Sequence, residues 1–312
     1  MREGVRGDIR GGAAFIYQSA MNEFVVGIGE VLWDVLPDGK KMGGAPANFA
    51  YHVSQFGLRS CLVSAVGNDA DGDEMVALLA EKGVETAVER VDKPTGRVVV
   101  GLDAAGIPCY DFDTDSAWDN IPFTPRLAEL AAHTRAVCFG SLAQRSAATR
   151  ATIGRFLDTM PADGTLRVFD INLRQEFYTP DIVEESLRRC NILKINDEEL
   201  SVVSRMLNLD AAADMTVRCR RLLERYGLRA LILTCGIDGS YVFTPAEESF
   251  YPTPRVEVAD TVGAGDSFTA AFVSSLLRGG EVTDAHRIAV DVSAYVCTHH
   301  GAMPILPAGL TK

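Results

Sequence analysis

The chain has 312 residues, of which 47% are hydrophobic and 23% are charged, and its formal net charge at pH 7 is -12. This composition is typical of a soluble globular protein and argues against intrinsic disorder. The negative charge disfavours nucleic acid or an anionic membrane surface as a partner, so the expected ligands are small molecules.

The cysteines and the chain start indicate a cytoplasmic protein. The seven cysteines are widely spaced and include no Cys-x-x-Cys pair, which favours reduced thiols over disulfides or zinc. No apolar stretch approaches the roughly 20 residues that span a bilayer, and the N-terminus lacks the apolar region of a secretion signal. Residues 1–22 are predicted to be a disordered leader, and residues 23–312 to form one domain.

From residue 23 onward, short apolar strands alternate with amphipathic helical segments. Helices are predicted at 45–56 and 71–82, each ending before a glycine, Gly57 and Gly83. The predicted strands lie at 24–29, 62–66, 136–139, 166–170, 191–195 and 230–234. This alternation predicts an α/β fold with a mostly parallel sheet and helices on both of its faces.

Two stretches interrupt the alternation, at 31–42 and 95–121. The second contains two strand-like runs, 97–103 and 107–112, on either side of an Ala-Ala-Gly turn, which predicts a hairpin. Insertions made only of strands predict a small accessory β-sheet that serves as a lid over a site or as a dimer surface.

A motif near the C-terminus places a carboxylate at the start of a helix. Gly263, Ala264, Gly265 and Asp266 directly precede a helical run at 267–277. The small residues allow close approach of a phosphate, and a helix N-terminus attracts anions. Asp266 could then accept a proton from an incoming hydroxyl group. The alternative is a glycine turn in which Asp266 only caps the helix.

Other polar residues follow predicted strands, and ligands of open parallel sheets bind beyond the carboxyl ends of the strands. Glu30 and Asp34 follow the first strand. Gly43 and Gly44 open the first helix and permit close backbone approach, and the amide of Asn48 can both donate to and accept from a polyol.

Asp170, Asn172 and Arg174 alternate at the end of a later strand, so they are predicted to share one face.

Two further segments have both a structural and a functional interpretation. Asn196 and Glu199 are either a helix capping box or an oxygen site for Mg²⁺ that acts through water. Thr234 and Gly236 end a later strand, either as an ordinary turn or beside a nucleotide. Each signal is weak alone, but all of them fall on one edge of one predicted sheet.

On these motifs the chain resembles the ribokinase-like, or PfkB, family of carbohydrate kinases from about residue 24 to 308. The two signature regions are 43–50 and 260–268, and residues 29–34 together with 43–48 most resemble fructokinases. The resemblance implies a Rossmann-like sheet with a β-lid and transfer of the ATP γ-phosphoryl group to a sugar hydroxyl. It also implies a need for Mg²⁺, often with K⁺.

The resemblance implies a role for each site residue. Asp266 would be the base, and Gly263, Ala264 and Gly265 the anion hole. The residues that would bind the sugar are Asp34, Gly43, Gly44, Asn48 and Arg174. Those that would bind the nucleotide are Asn196, Thr234, Gly236 and Val290, the last near the adenine. The metal residues would be Glu199, for Mg²⁺ through water, and Asp260 with the Val262 carbonyl, for a monovalent cation. The family motif around Arg174 commonly has proline where Ile171 stands.

The expected activity is phosphorylation of fructose to fructose 6-phosphate, in a homodimer formed through the lid edges. Ribose, 2-keto-3-deoxygluconate or another small polyol are alternative substrates. From other classes, a non-catalytic protein that binds sugar and nucleotide is disfavoured by the presence of Asp266. A dinucleotide oxidoreductase is disfavoured because no Gly-x-Gly-x-x-Gly follows the first strand.

Overall fold

The computed structural model of the chain describes residues 23–37, 39–102, 108–209 and 213–312. The predicted leader, 1–22, and the predicted Ala-Ala-Gly turn of the lid hairpin, 104–106, lie outside the described residues.

The described residues form strands and helices in the predicted alternation. The strands are β1 (Phe24–Ile28), β2 (Leu32–Leu36), β3 (Gly39–Gly43), β4 (Ser60–Gly67), β5 (Glu85–Val91), β6 (Arg97–Leu102), β7 (Pro108–Phe112), β8 (Thr134–Phe139), β9 (Leu166–Asp170), β10 (Ile192–Asn196), β11 (Ala230–Thr234), β12 (Ser240–Phe243) and β13 (Glu248–Tyr251). The α-helices are α1 (Ala45–Gln55), α2 (Ala70–Glu81), α3 (Pro125–Ala132), α4 (Ala147–Thr159), α5 (Pro180–Arg189), α6 (Asp197–Met206), α7 (Met215–Tyr226), α8 (Ala264–Leu277) and α9 (Val282–Cys297).

The larger sheet has nine strands in the order β13-β12-β11-β10-β9-β8-β1-β4-β5. All pairs from β11 to β5 are parallel, and the β11–β12 and β12–β13 pairs are antiparallel. The mostly parallel sheet is therefore confirmed. Its inner strands are buried on both faces, as in β4, where every residue is buried.

Successive side chains of β1 enter two separate cores, because strand side chains alternate between faces. Val26 and Ile28 belong to the core on one face of the sheet, and Val25 belongs to the core on the other. On that second face, Phe268 and Phe272 of α8 are buried against the strands. Burying each such side chain contributes about 1.5–3 kcal/mol, which holds the start of α8 over the sheet.

The predicted lid is a separate sheet of four strands in the order β3-β2-β6-β7. Trp33 in β2 is 1% exposed, and its indole N–H donates to the carbonyl of Asp71 in α2 at 3.1 Å. The Asp71 carboxylate also pairs with Lys40 of β3 at 2.7 Å and with Arg97 of β6 at 2.5 Å. These bonds connect three lid strands to one helix of the main domain.

Helix α8 begins earlier than its sequence predicts. Its first residue is Ala264, and Gly263 is the N-cap with φ 78°. The predicted start after Asp266 is therefore wrong, and Gly265 and Asp266 belong to the first turn. A side chain at Gly263 would approach the Cα atom of Ala302 to 2.8 Å, so both the backbone angle and the available space require glycine there.

None of the helices in the described part of the chain has the length and apolar character needed to span a bilayer. The six cysteines whose side chains are described are free thiols, as expected from their spacing.

Candidate active site

The predicted site residues meet at the carboxyl edge of the large sheet. Glu30 follows β1, Asp170 ends β9, Asn196 ends β10 and Thr234 ends β11. Asn196 and Thr234 are direct partners in the register of β10 and β11. The parallel pairing thus gathers residues that are far apart in the sequence.

Asp266 lies in the first turn of α8 and contacts α1. The Nδ2 atom of Asn48 donates a hydrogen bond to Oδ2 of Asp266 at 2.7 Å. Burial raises the pKa of Asp266 to about 6, the nearby Asp170 carboxylate adds to the rise, and the bond from Asn48 opposes it. Asn48 is 3% exposed, and its Oδ1 atom is buried and has no hydrogen-bond partner among the described residues.

A buried ion pair supports the start of α8. The Nζ atom of Lys194 in β10 is 3.0 Å from Oδ1 of Asp170, and the Thr269 hydroxyl donates to Oδ2 of Asp170 at 3.0 Å. A Cβ atom at Gly265 would lie 2.9 Å from the Lys194 Nζ atom. Glycine at this position therefore allows the ammonium group to lie directly against the first turn of α8.

Lys194 was missed by sequence reasoning. The available signal was a lysine inside the otherwise apolar start of a buried strand, since a lysine is seldom fully buried without a partner.

The predicted anion hole has the geometry of an open helix terminus. N–H groups in the first turn of any α-helix have no acceptor within the helix. In α8 these groups belong to Ala264, Gly265 and Asp266, with Gly263 as the N-cap, and the Ala264 N–H donates to the Thr261 carbonyl at 3.3 Å. Together with the Lys194 ammonium group, they form a positive region that suits a phosphoryl group.

Of the predicted sugar residues, Asn48 contacts Asp266 and Arg174 interacts with it electrostatically. Asp34 and Gly43 lie near each other on paired strands β2 and β3, and a side chain at Gly43 would collide with the Asp34 carboxylate. Burial raises the pKa of Asp34, and the guanidinium of Arg174 opposes that rise. Arg174 is exposed and also lowers the pKa of Glu30 and of Asp266, so it lies within electrostatic reach of all three carboxyl groups.

The predicted alternation of Asp170, Asn172 and Arg174 on one strand face is wrong. Strand β9 ends at Asp170, and Asn172 has φ 44°, in the left-handed region. The intervening Ile171 is fully buried, which anchors the turn. Asp170 and Asn172 nevertheless line the same small cavity beside Asp266.

Asn196 and Glu199 form a helix capping box, one of the two roles predicted for them from the sequence. The Glu199 N–H donates to Oδ1 of Asn196 at 2.7 Å, and the Asn196 N–H donates to Oε2 of Glu199 at 2.9 Å. The N–H of Leu173 donates to the other oxygen, Oε1, at 2.9 Å. Among the described residues no cluster of three acidic, histidine or cysteine residues could hold a metal ion. Direct Mg²⁺ binding by protein side chains alone therefore does not fit, whereas binding through water beside phosphates does.

The remaining predicted residues lie along the same edge or on α9. Gly236 has φ 53°, and its carbonyl accepts from the Thr253 hydroxyl at 2.6 Å. The Asp260 carboxylate accepts from the N–H groups of Val262 and Gly301, each at 3.1 Å. Val262 is 51% exposed in the loop before α8, while Val290 on α9 is 8% exposed and packs in the core.

Comparisons with known proteins identify the family. The chain is 29% identical over 306 residues to a fructokinase of Klebsiella pneumoniae, a match that covers 92% of this chain and 97% of the relative. It is 28% identical over 275 residues to an ATP-dependent 6-phosphofructokinase of Thermoanaerobacterium thermosaccharolyticum, covering 86% and 82% of the two chains.

A solved structure shares the fold. The crystal structure of Vibrio cholerae fructokinase in its fructose, ADP and calcium ion bound form superimposes with a TM-score of 0.78 at 24% identity. The match covers 93% of this chain and 98% of that one. Residues 21–309 match the family described as pfkB family carbohydrate kinase. The mostly parallel sheet, the four-stranded lid and these matches together show that the chain belongs to the pfkB family of carbohydrate kinases.

Proposed function

We propose that this kinase transfers the γ-phosphoryl group of ATP to fructose and forms fructose 6-phosphate. The observation that carries the proposal is the hydrogen bond from Asn48 to Asp266, which connects the first signature region to the second. Asn48, whose amide can bind a sugar hydroxyl, is thereby held against Asp266, whose carboxylate can deprotonate that hydroxyl.

Asp266 acts as the general base. Its carboxylate accepts the proton of the primary hydroxyl while the sugar oxygen bonds to phosphorus and ADP departs. The bond from Asn48 occupies one carboxylate oxygen and fixes the side chain in the site. Because the pKa of Asp266 is raised only to about 6, the group is largely ionised at neutral pH and still basic enough to take the proton.

Groups on α8 and β10 stabilise the negative charge of the transferred phosphoryl group. Gly263, Ala264 and Gly265 form the anion hole at the start of α8, where Gly263 is the N-cap and the first-turn N–H groups of Gly265 and Asp266 stabilise negative charge where it develops. The ammonium group of Lys194, held by Asp170, adds positive charge beneath Gly265. The proposed nucleotide residues are Asn196, Thr234, Gly236 and Val290.

Mg²⁺ bound through water near Glu199 would neutralise phosphate charge, and a monovalent cation such as K⁺ would take oxygens from Asp260 and the Val262 carbonyl. The Asp260 carboxylate already organises its own loop through two N–H bonds, so its oxygens are fixed in place.

The choice of fructose rests on the first signature region. Asp34 lies beside Gly43, Gly44 is the N-cap of α1, and Asn48 of the same helix contacts Asp266, which supports this region as the sugar site. The Klebsiella fructokinase, similar over nearly its full length, supports the same substrate class. The main alternative acceptor is a sugar phosphate. It is suggested by the similarity to the Thermoanaerobacterium 6-phosphofructokinase, and exposed Arg174 could pair with its phosphate group.

The test is ADP release with fructose, fructose 6-phosphate, ribose, 2-keto-3-deoxygluconate, glucose and adenosine, with the Asp266→Asn variant as background. We expect fructose to have the highest kcat/KM. A preference of more than about tenfold for another acceptor, about 1.4 kcal/mol, would overturn the substrate but not the kinase. Sugar binding without ADP release from any acceptor would instead support the non-catalytic alternative.

The homodimer and the cytoplasmic location also remain proposals. The lid presents β3 and β7 as its edges, and Val99 of β6 is 48% exposed. Open strand edges with exposed apolar side chains favour pairing with a second copy. Free thiols support a reducing compartment.

A further inference from the structure

Helix α1 carries further polar side chains on the face that bears Asn48. His52 and Gln55 lie at the i+4 and i+7 positions from Asn48, a spacing that places all three on one side of a helix. Asn48 contacts the proposed base, Asp266, whereas His52 and Gln55 have no role in the proposed reaction. Both of them bind the C-terminal segment, residues 301–306.

The hydrogen bonds of these two side chains go to the backbone of the C-terminal segment. The Nε2 atom of His52, a residue that is fully buried, lies 2.8 Å from the Ala302 carbonyl oxygen. The amide nitrogen of Gln55 donates to the Pro304 carbonyl at 3.2 Å, and its Oε1 atom accepts from the N–H of Leu306 at 2.7 Å. These bonds attach the C-terminal segment to α1.

The surroundings of the His52 ring determine which nitrogen carries the hydrogen. Burial lowers the pKa of His52 to about 4, so the ring is neutral at neutral pH. A carbonyl oxygen can only accept a hydrogen bond, so Nε2 is the nitrogen that donates to Ala302. Nδ1 is then the acceptor, and the Gln55 amide nitrogen lies 3.3 Å from it. With a partner on each nitrogen, the ring is held in one orientation.

The C-terminal segment packs against the loop that precedes α8. A Cβ atom added at Gly263 would lie 2.5 Å from the Cβ atom of Ala302 and 2.8 Å from its Cα atom. The adjacent Gly301 N–H donates to Oδ2 of Asp260 at 3.1 Å. The residue whose carbonyl His52 binds is therefore also the residue that packs against the N-cap of α8.

We propose that His52 is a positioning residue for the anion hole: by binding the Ala302 carbonyl, it holds the C-terminal segment against Gly263 and fixes the first-turn N–H groups of α8. The proposal rests on the anion-hole role proposed for this turn. Asn48 of the same helix holds the carboxylate of Asp266, so α1 would position both the base and the phosphoryl-binding turn. Because a displacement of about 1 Å can lower a rate about a hundredfold, a small shift of Gly263 should lower kcat.

The test compares His52→Leu with His52→Gln. Leucine has no donor, whereas the amide nitrogen of glutamine can donate to Ala302 in place of Nε2. With the best sugar at saturating ATP, Mg²⁺ and K⁺, we expect His52→Leu to lower kcat at least about tenfold and to change KM for the sugar by less than about threefold. His52→Gln should keep kcat within about threefold of wild type.

Two outcomes of this comparison contradict the proposal. A folded His52→Leu enzyme with a kcat within about threefold of wild type would overturn it. A His52→Gln enzyme as slow as His52→Leu would also overturn it, because the hydrogen bond to Ala302 would then not be the cause of the loss.

The matched control is Thr152→Val, which also removes a buried hydrogen bond from a helix side chain to a distant backbone carbonyl. The Thr152 hydroxyl donates to the Ile121 carbonyl at 2.6 Å. The adjacent Ile153 packs in the core on the opposite face of the sheet from Phe268 of α8. Thr152→Val should lose stability but keep the wild-type kcat. A loss of kcat equal to that of His52→Leu would assign the effect to lowered stability and overturn the proposal.

A second variant leaves α1 unchanged. Ala302→Gly removes the methyl group that packs against Gly263 and keeps the carbonyl that His52 binds. We expect kcat to fall by at least about threefold, with KM for the sugar again little changed. Wild-type kcat in Ala302→Gly would overturn the proposal even if His52→Leu fails to fold.

Hydrogen exchange tests the same contact without turnover. We expect amides of residues 260–266 to exchange at least about fivefold faster in His52→Leu than in the wild type, with unchanged exchange in β9 and β11. Unchanged exchange at 260–266, or equally faster exchange in all segments, would overturn the proposal. If the wild type phosphorylates no sugar, the proposed function fails, while these exchange rates still show whether His52 holds the start of α8.

Discussion

The Nδ2 atom of Asn48 lies 2.7 Å from the Oδ2 atom of Asp266, and this hydrogen bond joins residues that are 218 positions apart in the sequence. Asn48 belongs to α1, which starts at the lid side of the site, and Asp266 to the first turn of α8. The bond positions the proposed base, and the Asn48 Oδ1 atom has no partner among the described residues. It is the most direct contact between the two signature regions.

Asp266→Asn should lower kcat by at least about a hundredfold, because general-base catalysis contributes about 10² to 10⁴ in rate. The amide is nearly isosteric, so fructose affinity should change much less, and stability should change by about 1 kcal/mol at most. The measurements are kcat at saturating ATP, Mg²⁺ and sugar, calorimetric sugar binding and a denaturant titration. A kcat within about threefold of wild type would show that Asp266 is only part of a helix terminus.

The raised pKa of Asp266 predicts how activity and stability depend on pH. The base must be ionised, so kcat should fall as the pH drops through about 6. Stability changes in the opposite sense. The folded-state pKa lies above the ordinary aspartate value of 3.8, so this group stabilises the fold at low pH and that contribution is lost as the pH rises from about 4 to about 6. Wild type and Asp266→Asn should therefore differ in the slope of unfolding free energy over this window, and equal slopes would contradict the shift.

Lys194→Met should be strongly destabilising, by about 3–5 kcal/mol, because it leaves the Asp170 carboxylate buried without its charged partner. The double variant Lys194→Met with Asp170→Asn should recover part of that loss, since no uncompensated charge remains. Denaturant unfolding of the two single variants and the double variant gives the coupling free energy between Lys194 and Asp170. If the effects of the two substitutions on the free energy of unfolding are strictly additive, the ion pair makes no specific contribution to stability.

Gly44→Ala should impair both folding and catalysis. Gly44 has φ 119°, and an added Cβ atom would lie 2.5 Å from the backbone carbonyl oxygen of Glu30. The matched control is Gly57→Ala at the other end of α1, where φ is 73° but no atom lies within 4 Å of the new Cβ. The control should show only backbone strain, about 1–3 kcal/mol, with unchanged kcat/KM. Equal effects of both variants on kcat/KM would show that the contact between Gly44 and Glu30 is unimportant for the site.

The proposed dimer is tested by light scattering at micromolar concentration. We expect about twice the chain mass of 33.7 kDa. Val99→Lys on the exposed part of the lid should shift the population toward the monomer, because it places charge on an apolar pairing surface. A wild-type sample that contains only the monomer would overturn the proposed dimer and leave the catalytic proposal unaffected.

Local sequence patterns determined those elements whose interactions are mainly local. The strands predicted at 166–170 and 230–234 match β9 and β11, since apolar runs bounded by turns become buried parallel strands. The small lid sheet was likewise predicted from strand-like runs. Strand β5 was missed because it lies at the edge of the sheet and has a mixed burial pattern, which resembles neither a core strand nor a regular alternation.

The start of α8 shows where a local pattern is insufficient. A Gly-Ala-Gly-Asp segment is compatible with a loop or with a first helical turn, and the close contact of Gly263 with Ala302 selects the second.

Tertiary structure alone decided the chemistry between distant residues. By sequence, Lys194 is a lysine in a strand and Glu30 an acidic residue after another strand. The fold pairs Lys194 with Asp170 beneath Gly265 and places Glu30 with Asp266 around one cavity. Residue type and spacing specify which groups can ionise, but desolvation and neighbouring charges set their pKa values, and both depend on which segments the parallel sheet brings together.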